Sequence, residues 1–177
     1  MIDTGRLILR SWQERDKAPF AELGQDAEVM ATLGPLLSRA ESDALVDRLS
    51  AVDAEHGHTF WAVERKADGA TIGFCGIVRG RPGTPIEGEP EIGWRLARSA
   101  WGQGYAREAA AASLAWAWAN LPDAEVAAIT TPGNVRSWGL MERLGMTRDP
   151  AGDFLHPMVA DDSPLKQHLT YRIARPI

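Results

Sequence analysis

Cysteine is almost missing from this chain: Cys75 stands alone among 177 residues. One thiol can close no internal disulfide and assemble no thiolate-held zinc site, which fits a reducing cytoplasm. Long apolar runs are missing too, and no window approaches the roughly 18 residues that a membrane-spanning helix needs. There is no cationic excess. With 24 acidic and 19 basic residues the net charge is −5, which argues against nucleic acid or an anionic membrane as partner, while leaving room for a small basic patch facing a phosphorylated ligand. Tyrosine is scarce at two residues, whereas tryptophan is plentiful at seven. What is present is ordinary for a globular protein: 45% hydrophobic and 24% charged residues, enough for one domain over 1–177 with a substantial core.

Hydrophobic periodicity sketches the elements. "RLILRSW" (6–12) reads as a first strand, and the polar stretch 13–34, with Phe20, Leu23, Ala27 and Met30 at three- and four-residue steps, as a helix. Ser38 or Ser42 is placed to cap a second helix that ends at Gly57. Two β-rich runs, 59–65 and 70–78, flank the turn Ala67-Asp68-Gly69 as a hairpin, and 79–90 is a Gly/Pro loop. The strand 91–97 turns Glu91, Gly93 and Arg95 to one face and Ile92, Trp94 and Leu96 to the other. A helix to about Asn120, a strand over "EVAAITT", a helix closed by Gly145 and two strands near 147–154 and 167–174 complete the chain. The expected fold is a mixed α/β sheet of about six to seven strands flanked by about four helices.

The informative stretch is "SAWGQGYAREA" (99–109), two glycines at the mouth of an alanine-rich helix. The first amides of a helix lack intrahelical partners, and glycines there let an anion such as pyrophosphate approach them, aided by the helix dipole. Spacing alone allows the plainer reading of a tight strand-to-helix turn. Two other phosphate-binding schemes fit poorly. No Gly-Lys-Ser/Thr follows Gly104, as a P-loop requires; a dinucleotide fingerprint needs a small residue where Arg107 sits and an acid after the next strand, which ends in threonines.

The stretch resembles the acyl-CoA loop of the GCN5-related N-acetyltransferases (GNAT), Gln/Arg-x-x-Gly-x-Gly/Ala. Trp101, Gly102, Gln103, Gly104, Tyr105 and Ala106 match it, with Trp101 departing from the usual first residue. "WGQGYAREA" is close to the RimJ/RimL-like branch, which acetylates protein N-termini. "NVRSWGLMERLGM" resembles the family's second motif helix through Asn134, Ser137, Glu142, Leu144, Gly145 and Met146. The likeness is strong over 89–147 and extends to "GRLILR" and "HLTYRI". It implies a GNAT fold, acetyl-CoA as cosubstrate without metal, and Trp94, Arg95 and Leu96 as the strand pairing with the pantetheine arm. The loop residues, together with Asn134, would bind the rest of the cofactor.

The implied reaction is direct acetyl transfer to a primary amine, either a protein or peptide N-terminus or a small amine. It needs a neutral amine, a hydrogen-bond donor for the developing oxyanion, and a proton for the departing thiolate. The donor would be a backbone N–H near Trp94 or Arg95. Many family members supply the proton from a tyrosine, but here that position is Met141, so Ser137, one turn earlier, is the candidate. Glu91 is the candidate base, with Glu89 on its face and His156, His168 or water as alternatives. Trp12, Trp61 and Trp138 are either acceptor lining or core, and Cys75 reads as a buried core thiol. The acidic "EGEPE" and "VADDSP" loops would suit a cationic acceptor. The partners read as acetyl-CoA and the amine, with no nucleic acid or membrane, and a homodimer is compatible with all of this. The alternative is a CoA-binding sensor that kept the pocket and lost the chemistry.

Overall fold

The computed structural model describes residues 1–176. Nine strands form one sheet: β1 (Ile2–Asp3), β2 (Leu7–Arg10), β3 (Phe60–Arg65), β4 (Ala70–Arg79), β5 (Pro90–Leu96), β6 (Glu125–Thr130), β7 (Thr147–Arg148), β8 (Phe154–Leu155) and β9 (Gln167–Ala174). Their order is β1-β2-β3-β4-β5-β6-β9-β7, with β8 pairing β9. Five helices accompany them: α1 (Lys17–Gly24), α2 (Ala27–Met30), α3 (Arg39–His56), α4 (Tyr105–Asn120) and α5 (Val135–Arg143).

Two cores lie on opposite faces of the sheet. On one face Ile77, Ile92 and Leu96 pack against Ala109, Ala110, Leu114 and Ala117 of α4 and Met141 of α5. Alanines let α4 lie close to the strands, as its apolar circumference predicts. The other face carries Phe74 and Ala62 under Phe20 and Leu23 of α1, Val29 of α2, and Val46 and Leu49 of α3. The alternation expected for 91–97 is therefore realised: Ile92 and Leu96 enter the first core, while Gly93 and Arg95 turn to the face covered by α1–α3.

The departures from expectation have local causes. The helix expected over 13–34 is broken: Asp26 accepts from the amides of Glu28 and Val29 and starts α2 anew. Buried Asp16, bonded to Arg10 at 2.7 Å, fixes a 3-10 turn before α1. Ser38, not Ser42, caps α3, in a reciprocal box with Glu41. The strand expected at 147–154 is split into β7 and β8 by a 3-10 turn at Pro150–Gly152, where proline offers no N–H and Asp149 accepts from Gly152. These short strands, with β1, raise the count above the six or seven expected.

One seam positions the site. β5 pairs with β4 along its whole length, but with parallel β6 only at Glu91↔Ala127. Beyond that point the two strands part, and α4 crosses over between them. The result is a wedge-shaped gap in the sheet, closed near Glu91 and open towards the 101–107 turn.

Candidate active site

The wedge opens into a cleft of about 1500 Å³ lined by β5, the 101–107 turn, α5 and the inner side of α2 and α3. Its open end is built of backbone. Gly102 and Gly104 have φ of 72° and 80°, and Gly104 is the N-cap of α4. A side chain at either position would be strained in this left-handed region. Gly104 offers no capping side chain, and among the described residues the amides from Gly102 to Arg107 take no hydrogen-bond partner. A run of free amides at a helix N-terminus is a ready anion site, and Arg107, Arg136 and Arg143 line the cleft beside it. The plain tight-turn reading would leave these donors without purpose.

The N-terminal segment clamps this turn. Arg6 bonds the Glu108 carboxylate at 2.7 Å, donates to the Gln103 carbonyl at 2.9 Å, and lies 4.5 Å from the Tyr105 ring centroid. Thr4 adds a 2.7 Å bond to Glu108. The pairing neutralises a carboxylate that would otherwise repel an anion at the helix mouth. The sequence carried no sign of this clamp, because its partners lie about a hundred residues apart. Gln103 contributes backbone only: its side chain turns back to the Ser99 carbonyl.

Along β5 the register decides which groups face the gap. The Ala97 amide donates to Ile72 of the β4 side, and the pairing continues without a slip from Leu96 to Pro90. In an antiparallel ladder the edges alternate, so Arg95 and Gly93 spend their backbone groups on β4 while Trp94 and Leu96 turn theirs to the gap. The Leu96 carbonyl is taken by the Trp101 indole at 2.8 Å. That bond explains the tryptophan at the loop's first position, which braces the turn against the strand. Of the two expected oxyanion donors the register leaves Trp94, not Arg95. The Arg95 side chain goes instead to the α1–α3 face.

Across the gap Asn134 caps α5, accepting from the Ser137 amide at 3.3 Å. Half-buried Ser137 lines the cleft, and its Oγ has no partner among the described residues. Met141, one turn further, is buried in the core and has no proton to give.

Glu91 stands at the closed end of the wedge. The residue keeps some solvent access, but protein surrounds its carboxyl, and this burial pushes its pKa up to about 7, with Arg81 pulling the other way. Glu89 is not the cause: it precedes β5 and pairs with Arg172. The expected carboxylate pair therefore does not form. His156 and His168 line the same end with ring centroids 4.8 Å apart. Burial lowers both pKa values, His156 being lowered further by the His168 ring and Arg81. The Met158 amide donates to Nδ1 of His156, which places that ring's proton on Nε2 and makes it a donor there.

Other candidates lie elsewhere. Trp12, Trp61 and Trp138 bond Phe60, Asp53 and Pro132 and do not line the cleft. Cys75 is fully buried with its thiol pushed up to about 12. In the acidic loops Glu87 accepts from the Gly83 amide, Glu89 pairs with Arg172 and Asp161 with Lys166, while Asp162 is exposed. Glu91 is the one carboxyl of these loops that lines the cleft. The structure adds Val29, Leu45, Leu49 and Arg48 as cleft wall, residues whose role depended on how α2 and α3 pack.

Comparison with known proteins agrees with this geometry. The model of the acetyltransferase (GNAT) domain matches residues 6–147. The uncharacterized protein YkkB of Bacillus subtilis is 34% identical over 146 residues, covering 81% of this chain and 83% of its own. An acetyltransferase from Agrobacterium tumefaciens superposes with a TM-score of 0.78 at 27% identity, covering 97% and 92% of the two chains. The fold is also that of a Vibrio cholerae spermidine N-acetyltransferase crystallised with CoA and spermine (TM-score 0.73, 17% identity, 96% of each chain). No helix of the described residues is long and apolar enough to cross a membrane.

Proposed function

Since the chain belongs to the GNAT acetyltransferase family, we propose that it transfers an acetyl group from acetyl-CoA directly to a primary amine. The observation that carries the proposal is the wedge between β5 and β6, with a run of free amides at its open end and a perturbed carboxyl at its closed end. Bound there, acetyl-CoA supplies the thioester. The amides of 102–107 and the flanking arginines hold its pyrophosphate, and the free edge of Trp94 holds the pantetheine arm as an added strand, beside the amide of Leu96, whose carbonyl is already taken by Trp101.

The chain's own residues then do four things. The cleft brings amine and thioester together, which lowers the entropic barrier. Glu91, with a pKa near the working pH, takes the amine's proton through water. The Trp94 N–H meets the charge that develops on the thioester oxygen as the C–N bond forms. Ser137 gives a proton to the sulfur as the C–S bond breaks and regains one through solvent from the protonated Glu91. No covalent bond to the enzyme is needed, which agrees with the burial of Cys75.

Within the family, "WGQGYAREA" and Ser137 place the chain with the RimJ/RimL-like branch in our reading, acting in the cytoplasm on a peptide N-terminus or a small amine. The spermidine enzyme's polycationic ligand is a poor model for this acceptor, because Glu91 is the one carboxyl of the acidic loops that lines the cleft, and a polycation asks for several. A sensor that binds CoA without turnover is the alternative, favoured only by Met141. Calorimetric titration with acetyl-CoA, followed by thiol release across amines and peptides, separates the two. Binding with release for one acceptor class supports the enzyme, binding without release for any supports the sensor, and a folded protein that binds no CoA refutes both.

A further inference from the structure

Among the described arginines that line the cleft without a carboxylate partner, Arg95 alone is withdrawn from solvent, whereas Arg48, Arg107, Arg136 and Arg143 are exposed. Arg95 leaves β5 on the α1–α3 face, and its Nε and Nη1 are shielded from solvent with no hydrogen-bond partner among the described residues. No carboxylate of the described residues comes within ion-pair range. Glu28, the acid that α2 adds to the cleft wall, is held by Arg98 at 2.9 Å, and Glu91 is engaged electrostatically by Arg81. Burial alone acts on the guanidinium and lowers its pKa to about 10. An unpaired buried cation is strongly unfavourable, and proteins keep one where a ligand completes it.

The surroundings are apolar and built. The Arg95 Cζ lies 5.4 Å from the Phe74 ring centroid and 6.0 Å from that of Phe20. Phe74 stacks on Phe60 with centroids 5.0 Å apart and the planes 4° from parallel. Phe60 in turn fills the place of a side chain at Gly93, where a Cβ would come within 2.7 Å of its ring. The glycine between Glu91 and Arg95 is thus what lets the aromatic stack rest on the strand. Val29, Leu45 and Leu49 close the chamber from α2 and α3.

Resting on the acyl-transfer reading above, we propose that Arg95 binds a carboxylate of the acceptor, so that the substrate is an amine carrying one carboxylate on an apolar body. One withdrawn cation in a largely apolar chamber, with Arg48 exposed at its wall, balances a monoanion. A dianionic phosphate would need a second buried donor group, and a polyamine would add charge of the wrong sign. A free apolar amino acid has this chemistry; an uncharged alkylamine lacks the anion.

The test uses the full chain and matched acceptors: phenylalanine against phenethylamine, and leucine against isopentylamine, read by thiol release. Calorimetry with 3-phenylpropanoate, which has the carboxylate and the apolar body but no amine, reads the site without turnover. The wild type is expected to favour the carboxylate-bearing member by about a hundredfold in kcat/KM, as sites built around a charged hydrogen bond do. Arg95→Met should abolish that preference and the binding of 3-phenylpropanoate, with acetyl-CoA affinity unchanged within twofold; Arg95→Lys should restore part of both. Equal wild-type rates on the matched pairs, or 3-phenylpropanoate binding that survives Arg95→Met, would overturn the proposal. So would a tenfold loss of acetyl-CoA affinity in the folded variant, which would make Arg95 a cofactor contact. Should Arg95→Met fail to fold, the wild-type preference and binding decide by themselves. Carboxylate binding that depends on Arg95 without thiol release from any acceptor would uphold this site and refute the acyl-transfer reading.

Discussion

Replacing Glu91 by glutamine tests the mechanism and the electrostatics of the wedge together. Burial raises this carboxyl from its ordinary 4.5 to about 7, and at 1.36 kcal/mol per pKa unit the folded state gives up about 3 kcal/mol, as an upper figure, when Glu91 ionises. Between those two pH values the folded protein binds more protons than the unfolded chain, so this group's contribution to stability falls as pH rises from 4.5 to 7. Glutamine removes the charge and nearly keeps the shape. Urea unfolding should therefore find Glu91→Gln more stable than wild type at pH 8, by up to about 3 kcal/mol, with the difference vanishing near pH 4. Activity should move the opposite way. Wild-type kcat/KM should rise with pH through about 7, and the variant should lose that limb along with about a hundredfold or more in rate, the range for removing a general base. Full activity in the variant, with an acid limb below 6.5, would move the base to the histidine pair, whose values burial lowers. Equal stabilities at pH 4 and pH 8 would show that the carboxyl is not desolvated, and the argument for its role would fall with it.

Other substitutions probe separate parts of the site and fold. Gly104→Ala forces a side chain into a backbone with φ of 80°, a strain of roughly 1–2 kcal/mol; acetyl-CoA affinity by calorimetry should drop about tenfold while the acceptor KM holds. Ser137→Ala should lower kcat by about tenfold to a hundredfold and leave acetyl-CoA affinity within twofold, and an unchanged kcat would free Ser137 of its role. Asp16→Asn weakens the buried ion pairing of Arg10, which keeps Glu64 at 2.8 Å as its remaining counter-charge; the cost stays below the about 3–5 kcal/mol of a buried charge left alone, so thermal unfolding should fall by up to about 10 °C. Burial opposes ionisation of Asp16, but its bonds to Arg10, Thr71 and Gln13 prevail and hold its pKa below 3.8. The stabilisation is thus present above pH 4 and lost in stronger acid, where wild type and variant should converge.

Much of this molecule was legible in the order of its residues, because the relevant physics is local. Glycines at 102 and 104 ahead of an alanine-rich run marked a helix mouth open to an anion. Gly57 and the turn at 67–69 marked the end of α3 and the β3–β4 hairpin, while the choice between Ser38 and Ser42 as cap waited on the structure, and period-two alternation put Arg95 on the face of Glu91 and Gly93. Tertiary structure decided what depends on distance. Whether Glu91 met Glu89 or was merely buried turned on the partner of Glu89, Arg172, which arrives on β9. The clamp of Arg6 on Glu108 ties the N-terminal segment to the first turn of α4, and no pattern of spacing records it. The acidic loops looked like a cation site until Glu87, Glu89 and Asp161 found partners inside the chain. Arg95 shows the division most clearly: the sequence set the direction of its side chain, and only the packing of α1–α3 over β5 removed every counter-charge from its reach. A charge's environment is a sum over neighbours in space, and chain order specifies only the nearest of them.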